Sequence, residues 1–275
     1  QRTWGVPITL FVSKETGEPL QDEKVKNRIL KAIEEKGSVV WFEENPQIFL
    51  GNDYKAEDYE QVRDILDVWF DSAATSRFVL KDRPELNWPA DLYLEGSDQH
   101  RGWFQSSLLV SSGLYGKAPY KEVLTHGFLM YEDGEKMSKS KGNTIAPQEI
   151  ADKMGIDVLR LWAVGIDYAD DMRIGSEILK RQEDIYRRYR NTLRYLLGAL
   201  DGYVAPEKFE ESQLPTLEKW VLHRLKELDE KVRTGTREFD YLSMYSEIHN
   251  FCSVDLSAFY FDIRKDALYC DNPEG

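Results

Sequence analysis

A chain of 275 residues, 41% hydrophobic and 31% charged, is long enough for about two domains and has the balance of a soluble globular protein. Its formal net charge of −13 excludes nucleic-acid binding by bulk electrostatics and leaves only a local basic face for that purpose. Two cysteines, Cys252 and Cys270, exclude a disulfide framework and a Cys-x-x-Cys zinc site, and no metal site is expected. No apolar run has the length of a membrane span and no signal peptide opens the chain, so a reducing cytosol is the expected setting. Gln1 is not a natural start, and the chain reads as a piece of something longer.

The first 80 residues read as mixed α/β. Trp4 to Val12 is an apolar strand entered through Gly5 and Pro7. Asp22 to Lys36 places Val25, Ile29, Leu30 and Ile33 at helical spacing. Val39-Val40-Trp41-Phe42 reads as a second strand, Tyr54 to Arg63 as polar surface, and Asp64 to Ser72 as a return to apolar character. Trp69 in that last stretch suits core packing, the usual place of an aromatic.

Asp91 to His100 is more specific. A strand at Leu92–Leu94 enters a polar turn with Glu95, Gly96, Asp98, Gln99 and His100, and an apolar helix follows over Gln105 to Tyr115. Ligands of open α/β sheets bind at such strand ends, beside helix N-termini. Asp98 could instead only cap the helix. Val123 to Met130 is the next strand, bearing His126, and strand–helix–strand at this spacing is one crossover of a parallel sheet.

Lys136-Met137-Ser138-Lys139-Ser140 then runs through Lys141, Gly142 and Asn143, placing three lysines within six residues. Ammonium groups, hydroxyls and backbone N–H groups on such a loop can wrap a polyphosphate; the bland alternative is a solvated basic turn. Helices follow at Pro147–Lys153, stopped by Gly155, and at Asp157–Val164, with Val158, Leu161 and Trp162 inward. Ser176 and Glu177 open a long helix to about Leu200, ended by Gly202. Its apolar residues Ile178, Ile185, Tyr189, Leu193, Leu196 and Leu197 recur at helical spacing, and its basic residues include Lys180, Arg181, Arg187, Arg188, Arg190 and Arg194. Those basic residues suit either a nucleic-acid backbone or a solvated face paired with residues such as Glu183. Pro206 to Pro215 is a linker, and Leu217–Val232 and Tyr241 to about Phe261 complete an all-α segment.

The lysine loop resembles the signature of class I aminoacyl-tRNA synthetases letter for letter. Tyr93 to Phe104 resembles the isoleucyl family within that class, as do Gln1–Pro7, Leu66–Ser72 and Phe261–Asp271. The resemblance spans nearly the whole chain. It implies an α/β fold, the second half of a Rossmann-like parallel-sheet catalytic domain, followed by an all-α helical bundle segment. The implied divisions are a connective segment (1–90), the second half of the nucleotide-binding domain with the lysine loop (91–150), stem-contact helices (151–203) and the start of an anticodon-binding bundle (204–275). The implied chemistry joins ATP, with Mg2+, to L-isoleucine and passes the aminoacyl group to isoleucine tRNA, in a cytoplasmic enzyme that is a monomer.

By the same resemblance Lys136 and Lys139 stabilise phosphate charge during adenylation, and Met137, Ser138, Lys139 and His126 meet ATP. Glu95, Gly96, Asp98 and Gln99 hold the adenylate, Trp69 and Trp103 wall the isoleucine pocket, and Arg187, Arg188 and Arg194 contact tRNA. Two features depart from the family pattern. No histidine here belongs to the His-x-Gly-His motif of the family's first catalytic half, and Ala73-Ala74 stands where Gly-Ser is commoner. The resemblance therefore describes an internal piece lacking the first catalytic half and the editing domain, itself inactive. The alternative is a non-catalytic tRNA- or nucleotide-binding module.

Overall fold

The computed structural model describes residues 5–204 and 210–270, and all of their side chains except those of Lys139 and Glu211. The chain divides into two compact units, residues 1–125 and 126–275.

The first unit opens on a strand far shorter than the apolar run predicts. Trp4 lies outside the described residues, Pro7 makes an isolated pairing with Ile65, and β1 is only Phe11–Ser13. Helix α1 (Glu23–Lys36) starts where Asp22 Oδ1 accepts the amides of Lys24 and Val25, at 2.7 and 3.2 Å. It ends at Gly37, whose φ of 82° favours glycine. Val25 and Ile29 are buried, but Leu30 faces water at 58% exposure.

Val39–Phe42 is not a strand: α2 (Val40–Glu43) and α3 (Pro46–Leu50) are short helices. Val40 and Trp41, adjacent in sequence, are both buried. Strand alternation would send one of them outward, whereas a helical turn lets both face the core. Trp41 is the centre of that core. Phe11 lies edge-on to it at 5.1 Å, Phe49 lies 5.3 Å away, and its Nε1 donates to the Val62 carbonyl at 2.8 Å. The expected polar surface at 54–63 in fact contains β2 (Tyr59–Gln61), antiparallel to β1 with Phe11 opposite Gln61. Tyr54, Ala56 and Tyr59 pack against the core.

Helix α4 (Val68–Thr75) leads through a π-helical turn at Ser76–Lys81 to β3 (Ala90–Gly96). A 3-10 turn at Ser97–Arg101 then joins β3 to α5 (Trp103–Tyr115), and β4 (Tyr120–His126) hydrogen-bonds beside β3. The expected strand–helix–strand unit is therefore present.

In the second unit the single strand predicted over 123–130 is broken. β4 stops at His126, and β5 (Leu129–Tyr131) begins after Gly127 and Phe128. Gly127 N–H donates to the Tyr168 carbonyl at 2.9 Å, and Phe128 N–H to Asp171 Oδ1 at 2.7 Å. A side chain on Gly127 would collide with the backbone of Asp170 and Asp171, so only glycine lets the two segments meet. Helices α6 (Pro147–Met154) and α7 (Ile156–Val164) meet at Gly155, which has φ 91°. β6 (Met172–Ile174) then pairs in parallel with β5, Met130 opposite Arg173. Ile150, Trp162, Ile174 and Leu179 form the core beneath this pair.

The long helix α8 (Ser176–Ala199) opens at Ser176 as expected, with Gly175 just before it. Helices α9 (Thr216–Glu238), α10 (Tyr241–Asn250) and α11 (Phe261–Tyr269) follow, α10 and α11 being joined by a π-helical run over Phe251–Tyr260. Phe251, Leu256 and Phe261 bury against Tyr195 of α8 and Val221 and Leu228 of α9. Arg224 on α9 reaches Asp255 at 3.0 Å, and Arg264 on α11 pairs with Glu218 on α9. Residues 206–209 of the predicted linker lie outside the described residues, and Glu211–Gln213 within the remainder form a 3-10 turn.

The α1 cap predicts a pH dependence. Tyr54 Oη donates to Asp22 Oδ2 at 2.9 Å and, with the Val25 amide, holds the Asp22 carboxyl below its ordinary range. Stability from this group is complete above about pH 4, the unfolded carboxylate value, and is lost as pH falls through the lower folded-state value. In urea unfolding, the stability gap between wild type and Asp22→Asn should be widest near neutral pH and shrink below about pH 4.

Candidate functional site

The chemistry-bearing residues fall into separate groups, each built by its own unit. In the first unit, β3 delivers Glu95 and Gly96 to the 3-10 turn. Glu95 is exposed and Gly96 buried, with an ordinary extended φ of −63°. The cap of α5 is supplied by Gln99, whose Oε1 accepts the Trp103 amide at 2.9 Å. Its Nε2 donates to Asp98 Oδ2 at 3.1 Å. Asp98 is thus not the helix cap: its exposed carboxylate is oriented by Gln99.

The two tryptophans meet this turn differently. Trp103 stacks flat on Tyr93, 4.1 Å between ring centroids and 7° between planes, and its Nε1 donates to the Ser72 carbonyl at 3.0 Å. One face of Trp103 is therefore spent on packing β3 and α4 together. Trp69 is not core, since it is 43% exposed. Its amide is held by the Asp67 cap at 2.8 Å, and its ring reaches 2.9 Å from where a Cβ on Gly102 would stand. Trp69, Asp98, Gln99 and Trp103 thus converge on the junction at Gly102. Gly102 and Asp67 carried no functional signal of their own; the glycine's need is spatial and visible only when folded.

In the second unit the lysine loop is the return arm of a hairpin. Tyr131 N–H donates to Glu135 O at 2.8 Å, Gly134 N–H to Tyr131 O at 2.9 Å, and Met130 bridges to Lys136. The hairpin presents Lys136 outward, Nζ 5.1 Å from the centroid of the Phe128 ring, with no ion pair among the described residues. Met137 points the other way, packing on the core of Ile150, Trp162, Ile174 and Leu179. Ser138 N–H donates to Asn143 Oδ1 at 2.9 Å, and Ser138 Oγ lies 3.2 Å from Ser140 Oγ. Asn143 closes the loop beside Gly142, at φ 66°, a pairing that an Asn/Gly turn signal could have flagged. Lys141 Nζ is held 2.6 Å from Glu135 Oε2, which raises the lysine above its ordinary value. His126 ends β4 with Nδ1 2.8 Å from the Gly127 carbonyl, an acceptor that places the proton on Nδ1.

The arginines on α8 are not equivalent. Arg187 is paired with Glu183 at 2.7 Å and with Asp184 at 3.4 Å. Arg188 and Arg194 have no ion pair among the described residues. Arg187, Arg190 and Arg194 line a groove of about 600 Å³ with Asn191, Leu193 and Leu197. The last leucines of the helix thus face water rather than the bundle, Leu193 at 59% and Leu197 at 71% exposure.

The family model for tRNA synthetases class I (I, L, M and V) matches residues 1–175, and that for the anticodon-binding domain of tRNA ligase matches residues 218–275. Among curated relatives, isoleucine–tRNA ligase of Gluconobacter oxydans is 55% identical over 99% of this chain and 28% of its own length. Isoleucine–tRNA ligase of Caulobacter vibrioides is 54% identical over 100% of this chain and 28% of its own length. The chain thus spans less than a third of the relatives it matches. Among solved structures, a ternary complex of Agrobacterium radiobacter AgnB2 LeuRS with tRNA and LeuAMS aligns over 92% of this chain and 34% of its own, with TM-score 0.70 and 19% identity. Mycobacterium tuberculosis methionyl-tRNA synthetase with methionyl-adenylate aligns over 78% and 43%, with TM-score 0.60 and 22% identity. At these identities the two structures show the fold alone.

The Gly102 junction makes a direct prediction. In Gly102→Ala the new Cβ would stand 2.7 Å from Gln99 Oε1 and 2.9 Å from Trp69 Cη2. Both side chains should move, destabilising the fold by about 1–3 kcal/mol, as overpacking does. Thermal unfolding measures the loss, and a change in tryptophan fluorescence reports the displaced indole.

Proposed function

This chain belongs to the class I tRNA synthetases (the I, L, M and V group), and on that premise we propose that it is the second catalytic half and first anticodon-binding helices of an isoleucine–tRNA ligase. The identity of about 55% to ligases of that specificity supports the choice of amino acid. The observation that carries the catalytic reading is the loop at Lys136, whose apolar residue is anchored in a core while its neighbouring lysine is free to meet an anion.

The reaction proposed is attack of the isoleucine carboxylate on the α-phosphorus of Mg2+-bound ATP, giving isoleucyl-adenylate and pyrophosphate. The aminoacyl group then passes to the 3′ end of isoleucine tRNA. Lys136 and Lys139 neutralise charge developing on the leaving pyrophosphate, the main service a protein renders to phosphoryl chemistry. Ser138 donates from its hydroxyl, Met137 anchors the loop, and His126 lies beside the nucleotide. Glu95, Gly96 and Asp98 hold the adenylate, with Gln99 setting the direction of the Asp98 carboxylate. Trp69 and one face of Trp103 wall the side-chain pocket; such a wall distinguishes one methylene by only about 1–3 kcal/mol. Arg188 and Arg194, with no ion pair among the described residues, offer cations to tRNA phosphates, while Arg187 must first exchange Glu183 and Asp184. The divisions at 90, 150 and 203, a cytoplasmic location and a monomeric whole enzyme belong to the same proposal.

A second reading is favoured by the missing His-x-Gly-His motif: alone, these 275 residues act as a tRNA- or nucleotide-binding module without catalysis. Isoleucine-dependent ATP–pyrophosphate exchange separates the two. The chain alone should show none, and robust exchange would overturn the claim that half of the site is missing. In an enzyme of the relatives' length carrying this segment, Lys139→Ala should slow exchange by about 10²–10³-fold with circular dichroism unchanged. An unaltered rate would sink the phosphate role.

A further inference from the structure

The turn that launches the lysine loop is pressed against the head of α8 more tightly than strand pairing demands. Gly175, between β6 and α8, has φ −176°, extended backbone that any residue adopts. Glycine is required there by space. A Cβ would come within 2.5 Å of Glu132 Cδ and 2.6 Å of Glu132 Cβ. Glu132 is the first residue after β5, in the turn that returns to Lys136. Its side chain therefore lies across the bare backbone of Gly175, and its buried Oε2 has no hydrogen-bond partner among the described residues.

Two further contacts close the same joint. Gly134, at φ 84° in the turn, lies beneath the Arg173 guanidinium, whose Nη2 is 3.3 Å from where a Cβ would stand. Met137, just past the turn, packs on the core that includes Ile174 of β6 and Leu179 of α8. The hairpin is thus held on both sides of its tip by the β6–α8 junction.

We propose that Glu132 is a positioning residue for the lysine loop. Seated on Gly175 at the head of α8, it sets the hairpin from which Lys136 emerges, and with it the point where the loop's ammonium groups meet phosphate. The consequence for phosphate rests on the proposed function; the positioning itself rests on the packing alone.

The test uses the 275-residue chain as Gly175→Ala, Glu132→Gly, the double variant and Glu132→Gln. Amide hydrogen exchange reads the order of residues 136–143, and inorganic pyrophosphate, followed on the Met137 methyl resonance, reads phosphate binding. Gly175→Ala and Glu132→Gly should each raise exchange in 136–143, and weaken pyrophosphate binding, by about fivefold, the effect of roughly 1 kcal/mol. The double variant should be no worse than the worse single, because both break one contact. Glu132→Gln keeps the shape and should stay within about twofold of wild type. Exchange across 150–162 should not change in any of them. Unchanged exchange in 136–143, or additive effects in the double variant, overturns the proposal. If Glu132→Gly fails to fold, Gly175→Ala against Glu132→Gln decides. If wild type fails to bind pyrophosphate, or Lys136→Ala binds it equally well, the phosphate role falls while the exchange measurement still decides the positioning.

Discussion

The parallel pairing of β5 with β6 is the constraint on which the second unit depends. Three residues on each strand are enough to bring segments 40 residues apart into register, Leu129 opposite Met172 and Tyr131 opposite Ile174. Hydrogen bonds from Gly127 and Phe128 to Tyr168 and Asp171 extend the seam on one side, and the Glu132–Gly175 contact extends it on the other. A short parallel pair is weak by itself. It persists because Ile174 is buried beneath it with Ile150, Trp162 and Leu179. Burial of those side chains supplies free energy that the exposed lysines and carboxylates of the loop cannot.

That division of labour recurs in the first unit. Trp41, Phe11 and Phe49 supply the apolar centre, and polar side chains finish the ends of elements: Asp22 for α1, Asn45 for α3, Asp67 for α4 and Gln99 for α5. Of these, Asp67 and Gln99 also touch the functional junction. The Asp67 cap fixes the backbone of Trp69, and Gln99 holds α5 with one atom and Asp98 with another. Capping and site geometry therefore meet around Gly102, where the Gln99 amide both accepts from the Trp103 N–H and donates to the Asp98 carboxylate.

The corrections share a cause. Val39–Phe42 had strand composition, but its two central residues had to be buried together, which only a helical turn permits. The stretch at 54–63 looked too acidic for a strand, yet Tyr59–Gln61 pairs at an edge where Glu60 can remain in water. Val123–Met130 reads as one strand from its apolar ends, but Gly127 lets it leave one partner strand and join another. The leucines near the end of α8 have helical spacing and still face solvent beside arginines. Local pattern reports the period of an element and not what surrounds it.

The sequence by itself determined the identity of the elements with strong period or punctuation. Among them are the Asp22-capped helix, the strand–turn–helix at 90–115, the helix stop at Gly155 and the long helix from Ser176. It also determined which residues carry charge and shape near the lysine loop, because spacing along the chain sets which side chains a single loop can present together. Tertiary structure alone decided that Gln99 rather than Asp98 caps α5, that Trp69 is exposed while Trp103 is stacked, and that Met137 is an anchor beside an outward Lys136. It alone showed why Gly102, Gly127 and Gly175 must be glycine. The physical reason is steric: a glycine kept for space is recognised by what presses against it, and those neighbours come from distant parts of the chain.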